Sequence, residues 1–214
     1  IVNIRKVLGR PAVSPEVHYN GLVFLEDQKS SQALLRGVRY QSLWVHPKLR
    51  ITEGRFPRAG EVMVGRLAHK KLGVTEDLLQ VGSSISFNEE KLVVSGLFDA
   101  PGTVMEAEIW LPLNDLMAYT QRSTYSCVVV GLQNAEEFGG VDAFSKMRLD
   151  LELVAIRESE YYAKLSAFFG PIRWMAWVCA ILIGTGALRG GLNTLYAAFS
   201  SRIKEFGALQ AIGF

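Results

Sequence analysis

The stretch WMAWVCAILIGTGAL, residues 174–188, runs for fifteen positions without a formal charge, and the basic amphipathic run RIKEFGALQAIGF follows at 202–214. A helix that crosses a bilayer needs about 20 mostly apolar residues at about 1.5 Å of rise each. Residues 174–193 meet that length with Arg189 as their one charge. A central Arg costs about 2.5–3.5 kcal/mol on insertion scales, and less where its long stem reaches the interface, as it can from the end of the run that Arg189 occupies. Trp174 and Trp177 stand at the start of the run and Tyr196 just past it, where amphipathic rings favour the headgroup level. The reading is a membrane helix.

Acidic residues stop at Glu160 and resume only at Glu205, which sets this segment apart from the 1–165 region, where both charge signs are interspersed. About 165 residues suffice for a packed core. A net charge of +2 without clustered Lys and Arg predicts no nucleic-acid partner. Arg202 and Lys204 just beyond the span place that end in the cytoplasm by the positive-inside rule. Residues 1–165 are therefore expected to form an extracytoplasmic domain, 166–201 the membrane helix and its approach, and 202–214 the start of a cytoplasmic segment. The opening Ile1 and the abrupt end at Phe214 predict a piece of a longer chain.

The soluble part reads as α+β. β-branched and aromatic residues predict strands at 38–45 (VRYQSLWV), 61–64, 108–111 and 151–156, and a buried strand at 126–132 (SCVVVGL). Strands at 84–87 and 91–98 flank Asn88-Glu89-Glu90 as a hairpin with a three-residue loop. Helices are expected at 65–72, ending at Gly73, at 114–119, at 135–146, and from Glu158 toward the membrane. Gly170-Pro171 predicts either a hinge or a plain break between two helices.

Chemistry-bearing patterns are sparse. His18, His46 and His69 are far apart and no HExxH or CxxC pattern occurs, so surface or structural histidines and no metal are expected. No glycine-rich loop runs into Lys-Ser or Lys-Thr and no G-x-S-x-G elbow exists, which predicts neither phosphate cradle nor catalytic residue nor cofactor. Glu89-Glu90 and Glu136-Glu137 read as solvated turn and helix-start charges. Cys127 and Cys179 fall in different segments, predicting no bridge between them and a role as small buried hydrophobes.

Within the membrane segment small residues recur four apart: Ala180 and Gly184, Gly186 and Gly190, Ala187 and Gly191. That spacing lets a second helix approach closely and predicts packing against partner spans. Past the span, Leu195, Phe199, Ile203 and Phe206 form an apolar stripe, with Arg202 and Glu205 an i,i+3 pair beside it.

The pattern Asn193-Thr194, Arg202-x-x-Glu205-x-Gly207-x-Leu209-x-Ala211-x-Gly213 resembles the signature after the second membrane helix of the FtsX/MacB-like permeases of ABC transporters. Upstream, Gly54-Arg55-Phe56-Pro57 with Gly60-Glu61-Val62-Met63-Val64-Gly65, and Val94-Ser95-Gly96-Leu97-Phe98 with Glu108-Ile109-Trp110-Leu111-Pro112-Leu113, are similar to that family's periplasmic core domain. The resemblance covers about residues 51–214, and 1–50 only by position. Gln210 stands where the family usually has Arg, and Arg189 lies in a region normally apolar.

The resemblance implies a non-enzymatic permease subunit in a bacterial inner membrane. Its partners would be an ABC ATPase, a second permease copy or homologue, membrane lipid, and a periplasmic adaptor or lipoprotein carrier. Arg202, Glu205, Phe206 and Gly207 would couple to the ATPase, and Ala180, Gly184, Gly186, Gly190 and Gly191 would pack against other spans. ATP hydrolysis by the partner would move the periplasmic domain to export or extract a hydrophobic cargo. A single-pass receptor with an extracytoplasmic sensor domain is the alternative, separated by whether two further spans follow. A membrane-anchored enzyme lacks its catalytic constellation. Because the phosphate-binding loop is missing, the purified chain alone should bind no ATP, and stoichiometric binding in equilibrium dialysis would contradict this.

Overall fold

The computed structural model describes residues 3–25, 30–168, 170–211 and 213, with side chains at all of these except 165, 166, 168 and 204–206. It divides into two units, Ile1–Met147 and Arg148–Phe214. The first unit runs β1 (Lys6–Val7), β2 (Arg10–Pro11), β3 (Val13–Leu25), β4 (Ser30–Val38), α1 (Ser42–Val45), β5 (Arg50–Gly54), β6 (Glu61–Gly65), α2 (Ala68–Leu72), β7 (Ser84–Phe87), β8 (Glu90–Asp99), β9 (Ile109–Pro112), α3 (Leu113–Tyr119), β10 (Cys127–Val130) and α4 (Phe138–Met147). The second contains α5 (Glu158–Phe168) and α6 (Gly170–Ala211). The architecture is α+β, as expected.

Strand pairing closes on itself. β3 pairs β4, which runs parallel to β9; β9 pairs β6, which runs parallel to β8; β8 pairs β7, and β7 returns to β3. β10 extends the first half of β3, and β5 borders the last half of β8. β3 can serve three partners because it is thirteen residues long: Val13 to Glu16 face β10, whereas Val23 to Leu25 face β7.

All six strands of the circuit contribute to one apolar cluster. It contains Val17, Leu35, Val62, Val64, Phe87, Leu92, Ile109 and Leu111, and is joined by Ala68 and Leu72 of α2 and Leu113 and Leu116 of α3. Side chains therefore fill the ring, as in other narrow barrels. A second cluster uses Val38, Met63, Phe98 and Trp110 from the alternate faces of β4, β6, β8 and β9, joined by Met105 from the 3₁₀ turn Val104–Ala107. β8 reaches both clusters through a bulge. Val62 pairs Val94 and Met63 pairs Gly96, so Ser95 is the extra residue and alternation switches face before Phe98. The Ser95 hydroxyl donates to the Val62 carbonyl at 3.1 Å.

Several predicted elements fall as read: β6, β7, β9, α3 and α5, while the helix expected at 65–72 shortens to Ala68–Leu72 with Gly73 left-handed at its end, because Gly65 closes β6, and that at 135–146 opens as a 3₁₀ turn before α4. Four others differ. The 38–45 strand stops at Val38, and 42–45 wind into a helical turn in which His46 N–H donates to Ser42 O at 3.0 Å. Burial of Ser42 and Val45 outweighs the β-propensity of that run. The hairpin loop is Asn88-Glu89 alone, both at positive φ (47° and 69°), so Glu90 already pairs Phe87; two left-handed residues make the turn that matches strand twist. The 126–132 strand shortens to Cys127–Val130 and is only half-buried, being paired with β3 on one side. Residues 151–156 form no strand: a 3₁₀ turn at Leu149–Leu151 leads into irregular chain with Val154 exposed. α5 ends at Phe168 and α6 begins at Gly170; Phe169, between them, lies outside the described residues.

A Cβ on Gly96 would stand 2.5 Å from the Arg55 carbonyl oxygen and 2.9 Å from its nitrogen, so the bulge requires glycine. Gly96→Ala should destabilise the domain by roughly 2–3 kcal/mol, in the range of backbone clashes, as measured by urea unfolding. Gly60→Ala, at φ +74 in open space, should cost about 1 kcal/mol. Equal effects of the two changes would overturn the assignment of close approach at the bulge.

Candidate functional site

Two features are built for more than packing: a buried ionic node in the first unit, and the exposed apolar surface of α6. In β3, Ser14, Glu16 and His18 alternate with Val17, so Glu16 turns away from the ring interior while Val17 enters it. Arg36 leaves β4 in the same sense, opposite Leu35. Arg36 donates from Nη1 to Glu16 Oε2 at 2.7 Å, from Nε to Glu108 Oε2 at 2.7 Å and from Nη2 to Glu108 Oε1 at 2.8 Å. Trp110 Nε1 donates to Glu108 Oε2 at 2.9 Å, and the guanidinium lies 5.5 Å from the Trp110 ring centre. His46, the residue closing α1, places Nε2 2.8 Å from Glu16 Oε1.

Glu16, Arg36, His46 and Glu108 are all buried. Burial by itself would raise the Glu16 carboxyl, but hydrogen bonds from His18 and His46 and the Arg36 charge outweigh it and hold the group well below the usual carboxylate range. Burial likewise opposes the Arg36 charge, and the Glu108 and Glu16 carboxylates more than restore it. At the solvent edge of the node, His18 Nε2 lies 3.4 Å from Glu16 Oε2 and 3.8 Å from Cys127 Sγ. Burial, with the Glu16 charge adding to it, pushes the Cys127 thiol up to about 11.

Sequence reasoning did not single out Glu16, Arg36 or Glu108. The alternation of Glu16 and His18 with Val17 in β3 is the pattern of a strand with one polar face, which does not by itself tell a solvated charge from a buried one. His69 is on the surface, with Nδ1 at 2.9 Å from the Arg66 carbonyl. Glu89 sits in the hairpin turn and Glu136-Glu137 in the 3₁₀ turn before α4. Beside α1, Tyr40, Trp44 and Phe56 make edge-to-face contacts and line two shallow clefts of about 340 and 400 Å³. Their walls hold Arg39, Arg10, Gln41 and Asn114 but no nucleophile with a base.

α6 is one helix of 42 residues, about 63 Å long at 1.5 Å per residue. It is long and apolar enough to cross a bilayer, and Trp174, Ile183, Leu188 and Leu192 stand more than half exposed. At about 100° per residue, Ala180, Gly184, Ala187 and Gly191 fall within about 60° of one another, Gly186 and Gly190 lie on an adjoining face, and Arg189 points opposite to the first group. A Cβ at Gly184, Gly186, Gly190 or Gly191 would meet nothing within 4 Å. Cys179 is exposed on this helix. Arg202 and Gly207 are exposed farther along, and Arg202 flanks Leu195 and Phe199; the side chains of Glu205 and Phe206 lie outside the described residues.

No family model matches the chain, and no curated protein is similar to it in sequence. Solved structures are similar in fold. The periplasmic region of MacB from Actinobacillus actinomycetemcomitans superposes with a TM-score of 0.54 at 15% identity over 77% of each chain. The extracellular domain of the ABC-type transporter YknZ from Gram-positive bacteria gives 0.49 at 17% identity, covering 61% of this chain and 69% of that one. The chain thus has the fold of a MacB-like periplasmic domain over about three quarters of its length.

Arg36→Met leaves two buried carboxylates without their cation and should cost about 3–5 kcal/mol, read from urea unfolding by circular dichroism. Because the folded Glu16 carboxyl sits below its ordinary value of 4.5, the unfolded chain takes up that proton first. The contribution is complete above that value and is lost as pH falls below it. Glu16→Gln should therefore flatten the acid limb of the stability curve, and an unchanged limb would remove Glu16 as its source.

Proposed function

We propose that this chain is part of the permease subunit of an ABC transporter, with residues 1–165 outside the cytoplasm, 166–201 forming a membrane helix and its approach, and 202–214 entering the cytoplasm. The observation that carries the proposal is a conjunction: a domain with the fold of the MacB periplasmic region is followed in the same chain by a single helix about twice as long as a bilayer's hydrocarbon core is thick. An apolar helix this exposed needs lipid or neighbouring spans around it.

In this reading the chain hydrolyses nothing. An ATPase partner supplies the energy, a second permease copy or homologue completes the pore region, and the external domain moves a hydrophobic cargo, with or without a periplasmic adaptor or lipoprotein carrier. The bacterial inner membrane is the location. Arg202, Glu205, Phe206 and Gly207 receive the ATPase contact. Helical continuity from Gly170 to Ala211 supports the transfer of displacement, since a hydrogen-bonded helix moves as a rod along its axis. The small-residue faces around Gly184, Gly191, Gly186 and Gly190 seat neighbouring spans.

Topology and coupling are tested on the full-length permease in cells, with Cys127 and Cys179 replaced by Ser. A Lys91→Cys variant should react with a membrane-impermeant maleimide in intact cells, and labelling only after lysis would reject the topology. Glu205→Lys and Phe206→Ala should cut co-purification of the ATPase and stimulated ATP turnover several-fold, while the external domain keeps its melting temperature. Full association and turnover in both variants would leave 202–214 as an interfacial anchor.

A further inference from the structure

We propose that Glu16, His18 and Cys127 form a binding site for a borderline-soft divalent cation of the Zn2+ type, with water completing a tetrahedron. The three donors come from two neighbouring strands in fixed register. Cys127 of β10 lies directly across from Glu16 of β3, and His18 follows two residues along, on the same face. Backbone pairing, rather than long side chains, brings them together. A Glu16 carboxylate oxygen, a His18 ring nitrogen and Cys127 Sγ, one donor atom from each residue, lie within 4.8 Å of one another. Zinc bonds of about 2.0–2.2 Å to nitrogen or oxygen and 2.3 Å to sulfur give tetrahedral edges of about 3.3–3.6 Å, against 3.4 Å for the Glu16–His18 edge and 3.8 Å for the His18–Cys127 edge. These two edges need shifts of a few tenths of an ångström, and the Glu16–Cys127 pair, within 4.8 Å, draws together on binding.

The surroundings fit a cation despite two nearby guanidinium groups. Arg36 donates to the same Glu16 oxygen, but it is also chelated by Glu108 through two hydrogen bonds. The buried carboxylates Glu16 and Glu108 outnumber Arg36 by one charge. Arg122 spends its Nη1 on the His18 carbonyl at 3.1 Å. The Glu16 carboxylate is oriented from behind by His46 at 2.8 Å on its other oxygen, the arrangement that fixes ligands in metal sites. His18 has 29% of its side chain exposed, which leaves an entry path and an open fourth position. On binding, the Cys127 thiol gives its proton to solvent as the Zn–S bond forms. The ion would pin the edge strand β10 to β3 and the node beneath.

The experiment uses the full chain in detergent, stripped with a chelator, with Zn2+ titrated against a chromophoric competitor and Co2+ as the spectroscopic probe. One ion per chain is expected, with thiolate-to-Co2+ charge-transfer absorption and the intense visible bands of a tetrahedral site. Cys127→Ser and His18→Gln should each weaken binding at least tenfold, and Cys179→Ser should leave it unchanged. Unaltered affinity in Cys127→Ser, or a Co2+ complex without the thiolate band, overturns the site. Should Cys127→Ser fail to fold by circular dichroism, alkylation of Cys127 in the Cys179→Ser chain decides: Zn2+ should slow it at least tenfold, and an unchanged rate rejects the proposal. Neither result bears on the permease reading.

Discussion

Arg36 held between Glu16 and Glu108 is the constraint on which the first unit depends. The three residues come from β3, β4 and the position just before β9, and each is flanked by a residue that enters the apolar ring: Val17, Leu35 and Ile109. A slip of one residue in either pairing would exchange a charge for a valine or leucine and place an ion inside the barrel. The node therefore selects register more than it adds net stability. Its removal as a whole could be nearly neutral, whereas loss of one member strands the others in a dry site.

That register makes the closed circuit possible. β6, β9 and the last residues of β4, Leu35 to Val38, are covered on both faces because the ring interior occupies one and the Trp110 cluster and the ionic node the other. The bulge at Ser95 lets β8 change allegiance between the two without breaking the pairing with β6. His46 and Trp110 tie the node to the second cluster by an edge-on contact at 5.7 Å between ring centres. Polar satisfaction and apolar packing are thus parts of one arrangement, in which the carboxylates orient the side chains that cover them.

The second unit has the opposite design. α6 buries none of its apolar window and is long and apolar enough to cross a bilayer. Its glycines leave open backbone on two adjoining faces, while Arg189 faces away from the Ala180–Gly191 group. A domain whose core is self-contained is thus joined in sequence to a helix whose apolar surface is left uncovered.

The apolar run at 174–193, the α+β alternation and the short strands around 61–64, 84–87 and 109–111 were legible because each depends on local composition and period. The glycine motifs of 51–113 carried the family resemblance, and the MacB-like fold agrees with it. β3 and most of β4 were not legible. Ser14, Glu16 and Arg36 are buried on the second face, and a hydrophobic pattern cannot distinguish a charge that meets water from one that meets a guanidinium 2.7 Å away. The strand expected at 151–156 failed for the converse reason: β-propensity without a pairing partner leaves the chain irregular. Sequence by itself determined a helix long and apolar enough to cross a membrane and the class of fold, both properties of contiguous residues. Only tertiary structure decided the closed ring, the Glu16–Arg36–Glu108 node and the meeting of His18 with Cys127, because each joins residues 20 to 109 positions apart whose register is set by the whole sheet.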